Sequence, residues 1–401
     1  MNRFNAAGLL LTVALLSACG AAVPPATQHK PLAATNAVTL GVQHGPAISA
    51  LSLTPAAARD ALKAFSASCM RLVLRTDTSG LTMPQDWAPA CKAAATWPRD
   101  DAASFFTAWF ETAQVGSGTS YVTGYFEPEI AGARIQLPGF DVPIYRLPPD
   151  LVRAKPGDAP PNLDGHQPLG RYDANGLFVP YWDRAQIEGG ALAGQGLEIG
   201  WAADPAELFF LQVQGSGRLR APDGTIMRIG YAGENGWDYT GIGGVMNGQG
   251  LIGTGPGQYA GSMQGILRYI RENPDQGHAL MQQNRSYIFF RDTTAIAGVT
   301  GSGPTIGPVG ALSVPVTPRV TLAADPAFVP LGAPVFLTTD RADVGGLWIA
   351  QDTGGAIKGA NRFDSFWGAG ADARYIAGGM SAHGHALILL PRGVLARITG
   401  R

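Results

Sequence analysis

The chain of 401 residues has few charged residues, few cysteines and almost no excess charge of either sign. Charged residues make up 15% of the sequence and the formal net charge is -1, so no basic surplus indicates nucleic-acid binding. Beyond the N-terminus no second apolar run predicts a membrane segment, no repeat of fixed period occurs, and no GxSxG motif indicates a serine hydrolase. Glycine (54) and proline (30) are abundant. With alternating apolar segments, they favour a turn-rich β architecture.

The N-terminal residues have the features of a targeting segment. Arg3 supplies a short positive region, and Ala6 to Leu16 is an apolar stretch too short to span a membrane as a mature helix. Leu16 to Gly20 (LSACG) resembles a bacterial lipobox. We therefore predict a lipoprotein signal peptide over residues 1–18 and lipidation of Cys19.

An ordinary signal peptide, cleaved near Ala18 or Ala22, is the alternative. Gly20, rather than Asp, follows the lipobox cysteine, which by similarity to other lipoproteins indicates sorting to the outer membrane. Residues 19–46 are rich in Ala, Pro, Thr and Gln and lack periodicity, so they are predicted to be a lipid-anchored linker.

Two further cysteines, Cys69 and Cys91, remain in the mature chain. In an oxidising periplasm an even pair predicts a disulfide, which would close a loop of about 22 residues and stabilise the fold by about 3 kcal/mol. Two buried thiols are the alternative. Neither cysteine lies in a motif with histidine, so a catalytic thiol is not expected.

Helical and β patterns alternate along the mature chain. Thr54-Pro55 predicts the start of a helix, and a second helix is predicted after Asp101. From Tyr121 the pattern changes to strands separated by Gly, Pro and Asp turns, with Leu208–Arg220 predicted to pair with Thr225–Tyr231 as a hairpin. A helix is predicted again near residue 262, followed by a second block of strands.

Two carboxylates between Trp348 and Gly370 are the strongest candidates for catalysis. Asp352 follows an alternating strand pattern, and Asp364 precedes Phe366 and Trp367. We place both on a glycine-rich turn between a strand and an aromatic cluster, where the rings and the neighbouring carboxylate would raise the pKa of Asp364. A Gly/Asp-rich turn without chemistry is the alternative.

Several other polar or aromatic side chains are candidate substrate contacts. The glutamines and the serine lie in LQVQGSGR, whose glycines allow close approach of a backbone, but a polar strand face has the same pattern. The lysine is able to bind a substrate carboxylate or to pair with Asp352. These candidates are Tyr125, Gln212, Gln214, Ser216, Lys358 and, with the aromatic cluster, Trp367. His383 and His385 alternate in a strand pattern, but no third ligand at suitable spacing accompanies them, so no metal site is predicted.

Three aspartates, Asp325, Asp352 and Asp364, lie in similar settings within a C-terminal region that resembles the three-aspartate domain of bacterial cell-wall lytic enzymes. The whole mature chain resembles the membrane-bound lytic murein transglycosylase A family. Two supporting stretches, GYAGENG and NRSYIFF, differ slightly from the sequences that are commoner in the family. The supporting stretches are TGYFEPEI (residues 123–130), FFLQVQGSGR (209–218), GYAGENG (230–236), NRSYIFF (284–290) and GPVGALSVPVTP (307–318).

The resemblance implies a mainly β fold, in which a double-psi β-barrel domain carries an inserted smaller β-barrel domain and a few flanking helices. We assign residues 47–125 and 284–395 to the double-psi barrel, with residues 284–392 as the three-aspartate region. Residues 126–283 form the predicted insert. A deep groove is expected between the two.

The resemblance also implies cleavage of the β-1,4 bond between N-acetylmuramic acid and N-acetylglucosamine, with a 1,6-anhydro product and the Asp of FDSFWG, Asp364, as the single catalytic acid. Most glycosidases need two carboxyl groups. Here the C6 hydroxyl of the muramic acid is a nucleophile already held near C1, so one carboxyl group can act as acid and then as base. Asp352 would support Asp364, and Asp325 would contact substrate or bond turn amides.

The expected partners are peptidoglycan glycan strands and, through the lipid anchor, the outer membrane facing the periplasm of a Gram-negative bacterium. No cofactor, metal or nucleic acid is expected, and partners in cell-wall synthesis stay unidentified. Two alternatives have different chemistry: a muramidase-type hydrolase that uses water as nucleophile, and a non-catalytic peptidoglycan-binding lipoprotein on the same fold.

Overall fold

A computed structural model describes residues 34–162, 165–295 and 307–400. The predicted signal peptide and lipidated Cys19 lie outside these residues. Among these, the residues from Thr35 onward form one compact unit. In the described ranges, no helix is both long enough and apolar enough to cross a membrane.

Helices flank the strands at both ends of the described chain and in its middle. Short 3-10 turns lie at Ile48–Ala50 and Arg99–Asp101, and α5 continues as a π-helix over Ile187–Ala191. The helices are α1 (Ala37–Leu40), α2 (Pro55–Leu72), α3 (Pro84–Ala94), α4 (Ala102–Trp109), α5 (Arg184–Gln186), α6 (Pro205–Gln214), α7 (Ile242–Gly248), α8 (Met263–Glu272), α9 (Pro274–Gln282), α10 (Ala371–Gly378) and α11 (Val394–Thr399).

Strands occupy the regions where the sequence alternates. They are β1 (Val42–His44), β2 (Phe110–Val115), β3 (Thr119–Glu127), β4 (Glu129–Ala133), β5 (Val142–Tyr145), β6 (Val152–Arg153), β7 (Leu169–Tyr172), β8 (Phe178–Pro180), β9 (Glu198–Ala202), β10 (Ser216–Arg220), β11 (Ile226–Glu234), β12 (Ile288–Asp292), β13 (Thr321–Ala324), β14 (Pro334–Thr339), β15 (Gly346–Asp352), β16 (Arg362–Ala369) and β17 (Ser381–Pro391).

The strands form a large sheet and two smaller ones. The large sheet has eight strands in the order β1-β2-β17-β14-β15-β13-β16-β3. Because β3 pairs in parallel with β16 and antiparallel with β17, the strands from β17 through β14, β15, β13 and β16 to β3 form a closed cycle of pairings. A six-stranded sheet has the order β12-β11-β10-β4-β9-β5, and β6-β7-β8 form the third. The expected mainly β fold with flanking helices is confirmed.

The main core lies between the large sheet and α2, α3 and α4. Phe65 and Phe110 are fully buried there, with ring centroids 5.4 Å apart in an edge-on arrangement. Each such side chain stabilises the fold by about 1.5–3 kcal/mol through removal from water. Cys69 on α2 and Cys91 on α3 are joined by a disulfide, which ties these two helices together.

The described part of the predicted linker, residues 34–46, is folded. Asn36 caps α1 by accepting a hydrogen bond from the amide of Thr39, and β1 adds an antiparallel edge strand to β2. The predicted linker is therefore wrong from residue 36 onward. These elements are too short to produce a periodic pattern, and their stability comes from pairing with β2 rather than from local propensity.

The predicted strand Leu208–Arg220 is wrong in its first half, which forms α6. Asp204 caps this helix by accepting from the amides of Ala206 and Glu207, and Gly215 ends it with a left-handed φ of 77°. Only β10 continues as a strand and pairs with β11. A short apolar run does not distinguish helix from strand by periodicity, so the capping residues decide.

The six-stranded sheet also includes a strand that the sequence placed elsewhere. β12 pairs antiparallel with β11, from Ile229 opposite Asp292 to Glu234 opposite Ile288. Residues 288–292 therefore extend the second sheet, although the predicted insert ends at residue 283.

Candidate active site

Two aspartates lie in one row of residues that crosses four neighbouring strands. Ala323 on β13 is the register partner of both Asp352 on β15 and Asp364 on β16, and Asp364 is in turn the partner of Thr123 on β3. Adjacent strands lie about 4.8 Å apart, so the backbones of the two aspartates are about 10 Å apart. The two aspartates therefore lie on one face of the closed part of the sheet, with strand β13 between them.

Asp364 lies within strand β16, whereas the sequence analysis placed it on a turn. The turn is formed by the residues between β15 and β16. In a strand, successive side chains point to opposite faces. Phe363, Ser365 and Trp367 accordingly face the main core, which leaves Asp364 and Phe366 on the other face.

The carboxyl group of Asp364 is half-buried and anchored by a two-step hydrogen-bond relay. Thr123 Oγ1 donates to Asp364 Oδ1 over 2.7 Å, and Arg362 Nη2 donates to the same hydroxyl over 2.8 Å. Burial raises the pKa of Asp364 to about 6, against the lowering effects of the Thr123 hydrogen bond and the Arg362 charge; the charge of Asp352 adds a smaller rise. This carboxyl group is therefore able to hold and release a proton near neutral pH.

The carboxyl group of Asp352 is occupied by protein donors. The Tyr125 hydroxyl donates to Oδ2 over 2.9 Å, and the amides of Ala311 and Thr353 each donate to Oδ1 over 2.9 Å. Burial raises the pKa of Asp352, and these three hydrogen bonds oppose that rise. Asp352 therefore holds Tyr125 and the backbone at Ala311 and Thr353 in place, and both of its oxygens accept hydrogen bonds from protein groups.

The two rings of the predicted aromatic cluster face opposite ways. Phe366 lies against Tyr125 with ring centroids 4.9 Å apart, on the face that carries Asp364. Trp367 is 5% exposed, lies in the main core and donates from Nε1 to Ser365 Oγ over 2.9 Å. Of the two rings, Phe366 belongs to the surroundings of Asp364, and the burial of Trp367 argues against a direct substrate contact.

The predicted contacts of LQVQGSGR lie in different surroundings. Gln212 on α6 is 3% exposed and accepts from Arg184 Nη1 over 2.6 Å, so it is held inside the protein. Gln214 Oε1 accepts from the amide of Phe126 over 3.0 Å. Ser216 is half-buried at the start of β10. Gln214 and Ser216 are thus the more accessible members of this group.

Asp325 and Lys358 lie on loops beside the row of aspartates. Asp325 accepts hydrogen bonds from the amides of Ala327 and Gly359, which is the turn-stabilising role expected as one alternative. Lys358 is exposed, and its charge lowers the pKa of Glu234 at the end of β11, against a larger rise caused by burial. Lys358 therefore lies near the second sheet.

Three residues of this region were missed by sequence reasoning. Thr123 and Arg362 both precede an identified residue by two positions on the same strand, so strand alternation is a signal that would have found them. Tyr239 is 38% exposed, and its pKa is raised by burial and, to a smaller extent, by the charge of Asp364. No local signal connects Tyr239 with Asp364, because the two come together only in the tertiary structure.

His383 and His385 do not join this site. The ring of His383 lies 4.9 Å from that of Tyr121, and its Nδ1 is 3.9 Å from Asp340 Oδ2. Across the described ranges, no group of three or more His, Cys, Asp or Glu side chains is arranged to hold a metal ion.

Comparison with known proteins connects two parts of the chain to one family. Residues 121–291 match the MltA specific insert domain, and residues 320–390 match the 3D domain. The crystal structure of MltA from Neisseria gonorrhoeae is 35% identical with a TM-score of 0.70, over 88% of this chain and 93% of that chain. The chain belongs to the membrane-bound lytic murein transglycosylase A family. This is a family of enzymes.

Two further bacterial proteins are similar over much of the chain. The membrane-bound lytic murein transglycosylase from Agrobacterium tumefaciens has a TM-score of 0.76 at 29% identity, over 89% of this chain and 99% of that chain. The membrane-bound lytic murein transglycosylase A of Vibrio cholerae is 30% identical over 283 residues, which are 67% of this chain and 66% of that protein. The aligned part thus spans about two thirds of the Vibrio relative.

The insert match agrees with the division into sheets at its C-terminal end, whereas its start at residue 121 lies within β3 of the large sheet. The match to the MltA specific insert domain extends to residue 291, in agreement with the place of β12 in the second sheet. The 3D domain match contains Asp325, Asp352 and Asp364.

Proposed function

We propose that the protein is a peptidoglycan lytic transglycosylase that cleaves the MurNAc-β-1,4-GlcNAc bond, forms a 1,6-anhydro-MurNAc end and uses Asp364 as its single acid and base. The observation that carries the proposal is the inequality of the two aspartates. Asp364 is half-buried with a pKa raised to about 6, whereas three protein donors engage both oxygens of Asp352. One carboxyl group is thus available for proton transfer, and the second is not free to act as a nucleophile.

The proposed reaction uses one proton twice. Protonated Asp364 donates its proton to the glycosidic oxygen as the bond between this oxygen and C1 of the muramic acid breaks, so N-acetylglucosamine leaves with a 4-hydroxyl group. The C6 oxygen of the same muramic acid forms the new bond to C1. The Asp364 carboxylate then takes the proton of the C6 hydroxyl and returns to its starting state, and no water is consumed.

Neighbouring residues would position the acid and the sugar. Thr123 and Arg362 orient Asp364 and, in opposition to burial, lower its pKa. We assign direct sugar contacts to the accessible side chains around it. We assign supporting roles to the buried candidates and to the two aspartates whose carboxylates accept hydrogen bonds from backbone amides. The direct contacts are Gln214, Ser216, Lys358 and Tyr239, and the supporting residues are Tyr125, Gln212, Asp325, Asp352 and Trp367.

We further propose that the closed cycle of strands is a double-psi β-barrel that carries the second sheet as a smaller inserted β-barrel domain. The parallel pairs β13–β15 and β3–β16 within that cycle support this interpretation. We also propose anchorage through lipidated Cys19 at the outer membrane, facing the periplasm. Loss of membrane association on Cys19→Ala, measured by fractionation, tests the anchor.

The deciding experiment is digestion of purified sacculi by the wild type and by Asp364→Asn, with products analysed by mass spectrometry. We expect anhydro-muropeptides from the wild type and none from the variant, which should still bind sacculi. Products heavier by one water would indicate a hydrolase. Retained activity in Asp364→Asn would refute the assignment of the acid. A wild type that binds sacculi but releases no product would support the alternative of a non-catalytic peptidoglycan-binding lipoprotein.

A further inference from the structure

A cavity of about 310 Å³ on the inserted sheet region is separate from the row of aspartates. Two arginine–tryptophan stacks line it. The guanidinium of Arg171 lies 3.9 Å from the ring centroid of Trp182, and that of Arg285 lies 3.3 Å from the ring centroid of Trp237. Its volume is in the range of pockets that bind small ligands.

Protein hydrogen bonds hold the walls of this cavity in place. The side-chain amide of Asn235 donates to the carbonyls of both Trp182 and Arg285 over 2.9 Å. Trp237 Nε1 donates to the carbonyl of Tyr181 over 2.8 Å. The two stacks therefore belong to segments that are fixed to each other, as a preorganised site requires.

The charged side chains that line the cavity differ in the hydrogen bonds they make to protein groups. Asp183 is engaged on both oxygens, by the amide of Gln186 and by Arg285. Asp173 accepts from two turn amides. Arg171 Nε is buried and makes no hydrogen bond within the described ranges, so at least one donor of this guanidinium has no protein partner there.

The chemistry favours a carboxylate as the ligand group. In each stack a guanidinium covers one indole face, which removes that face from stacking with a sugar. A stacked guanidinium still presents its N–H groups at its edge, where they match the two oxygens of a carboxylate. Arg171 is half-buried, and partial removal from water strengthens such a charge-assisted bond.

A short segment of the chain joins the cavity to Tyr239, a residue near Asp364. Trp237 precedes Tyr239 by two residues, a span of at most about 7 Å, and the charge of Asp364 acts on Tyr239.

We propose that this cavity binds a carboxylate of the peptide stem attached to the muramic acid, with Arg171 as the main contact. The proposal rests on the proposed function for the identity of the substrate. Two of the residues that line the cavity, Trp237 and Arg285, follow or lie in the stretches GYAGENG and NRSYIFF.

The test is titration of the Asp364→Asn protein with a synthetic stem tetrapeptide, followed by tryptophan fluorescence, because two tryptophans line the cavity. We expect saturable binding that falls about tenfold or more in Arg171→Gln, as loss of one charge-assisted hydrogen bond predicts. Arg171→Lys keeps the charge but not the planar fork, and should bind with intermediate affinity. A peptide whose carboxylates are amidated should bind weakly to the Asp364→Asn protein. Its affinity should be no higher than its affinity for the same protein with Arg171→Gln added. Arg59→Gln, an exposed arginine of α2, is the matched control.

Activity provides a second, independent measurement. With Asp364 intact, Arg171→Gln should raise KM on peptide-bearing glycan and leave turnover of peptide-free glycan unchanged. Equal peptide affinity in Arg171→Gln and the parent, or equal losses on both glycans, would overturn the proposal. A wild type that binds the peptide but releases no anhydro product would instead contradict the proposed function and leave the peptide site standing.

Discussion

Asp364→Asn should abolish activity and at the same time stabilise the fold at neutral pH. The carboxyl group has a folded-state pKa of about 6, above the value of about 3.9 expected in the unfolded chain. Between these two values the folded protein binds more protons than the unfolded one. The free energy of unfolding therefore falls as pH rises through this window, and the loss is nearly complete at about pH 7.

The magnitude follows from the shift. About two pKa units correspond to a ceiling of about 3 kcal/mol at pH 7, and partial solvent access to the half-buried carboxyl group reduces this toward about 1 kcal/mol. Asparagine keeps an oxygen that can accept the hydrogen bond of Thr123, so the substitution removes the charge without removing that contact. For a chain of this size, 1 kcal/mol shifts Tm by roughly 1–2 °C.

The assay is differential scanning calorimetry of wild type and variant at pH 7 and pH 4. We expect a Tm gain of roughly 1–5 °C at pH 7 that shrinks at pH 4, where the wild-type carboxyl group is protonated in the folded state. Asp343→Asn is a control of opposite sign, since the ion pair with Arg341 lowers the pKa of Asp343, so its loss should lower Tm at pH 7. A Tm of Asp364→Asn below that of the wild type at pH 7, by as much as at pH 4, would refute a raised pKa at this position.

Further predictions concern the groups around the acid. Arg362→Gln removes a charge that lowers the pKa of Asp364, and Thr123→Val removes a hydrogen bond that does the same, so each should move the alkaline limb of the kcat/KM–pH profile upward. Asp352→Asn removes a charge that raises the same pKa and should move that limb slightly downward. Glu127→Gln should lower the free energy of unfolding by about 3 kcal/mol in urea titrations, because this buried carboxylate pairs with two buried arginines.

Local signals predicted the parts of the fold that depend on neighbouring residues. The start of α2 at Thr54-Pro55 follows from a capping hydroxyl and a proline in the first turn, both of which act within a few residues. The same chemistry at Asp204 and Gly215 was overlooked, and an apolar run was therefore assigned to a strand instead of to α6. The structure therefore places Gln212 and Gln214 on a helix instead of a strand face, and Gln212 is buried.

Asp364 was identified as the candidate acid from its motif, and Asp352 as its neighbour. Their inequality was not derivable from residue types, because both are aspartates beside glycines and aromatic residues. It arises from donors that are distant in the chain: Tyr125 reaches Asp352 across 227 positions, and Thr123 reaches Asp364 across 241. Similarly, Trp367 was expected beside Asp364, but strand alternation directs it into the core.

The sequence by itself determined the class of fold, the family and the candidate acid, because these depend on short motifs and on patterns that repeat over a few residues. The tertiary structure alone decided how each carboxyl group is buried and hydrogen-bonded, since this depends on donors that strand pairing brings from β3. It also decided that Arg171, Trp182, Trp237 and Arg285 line one cavity. Residues from separate segments share a cavity only when the folded backbone holds those segments together.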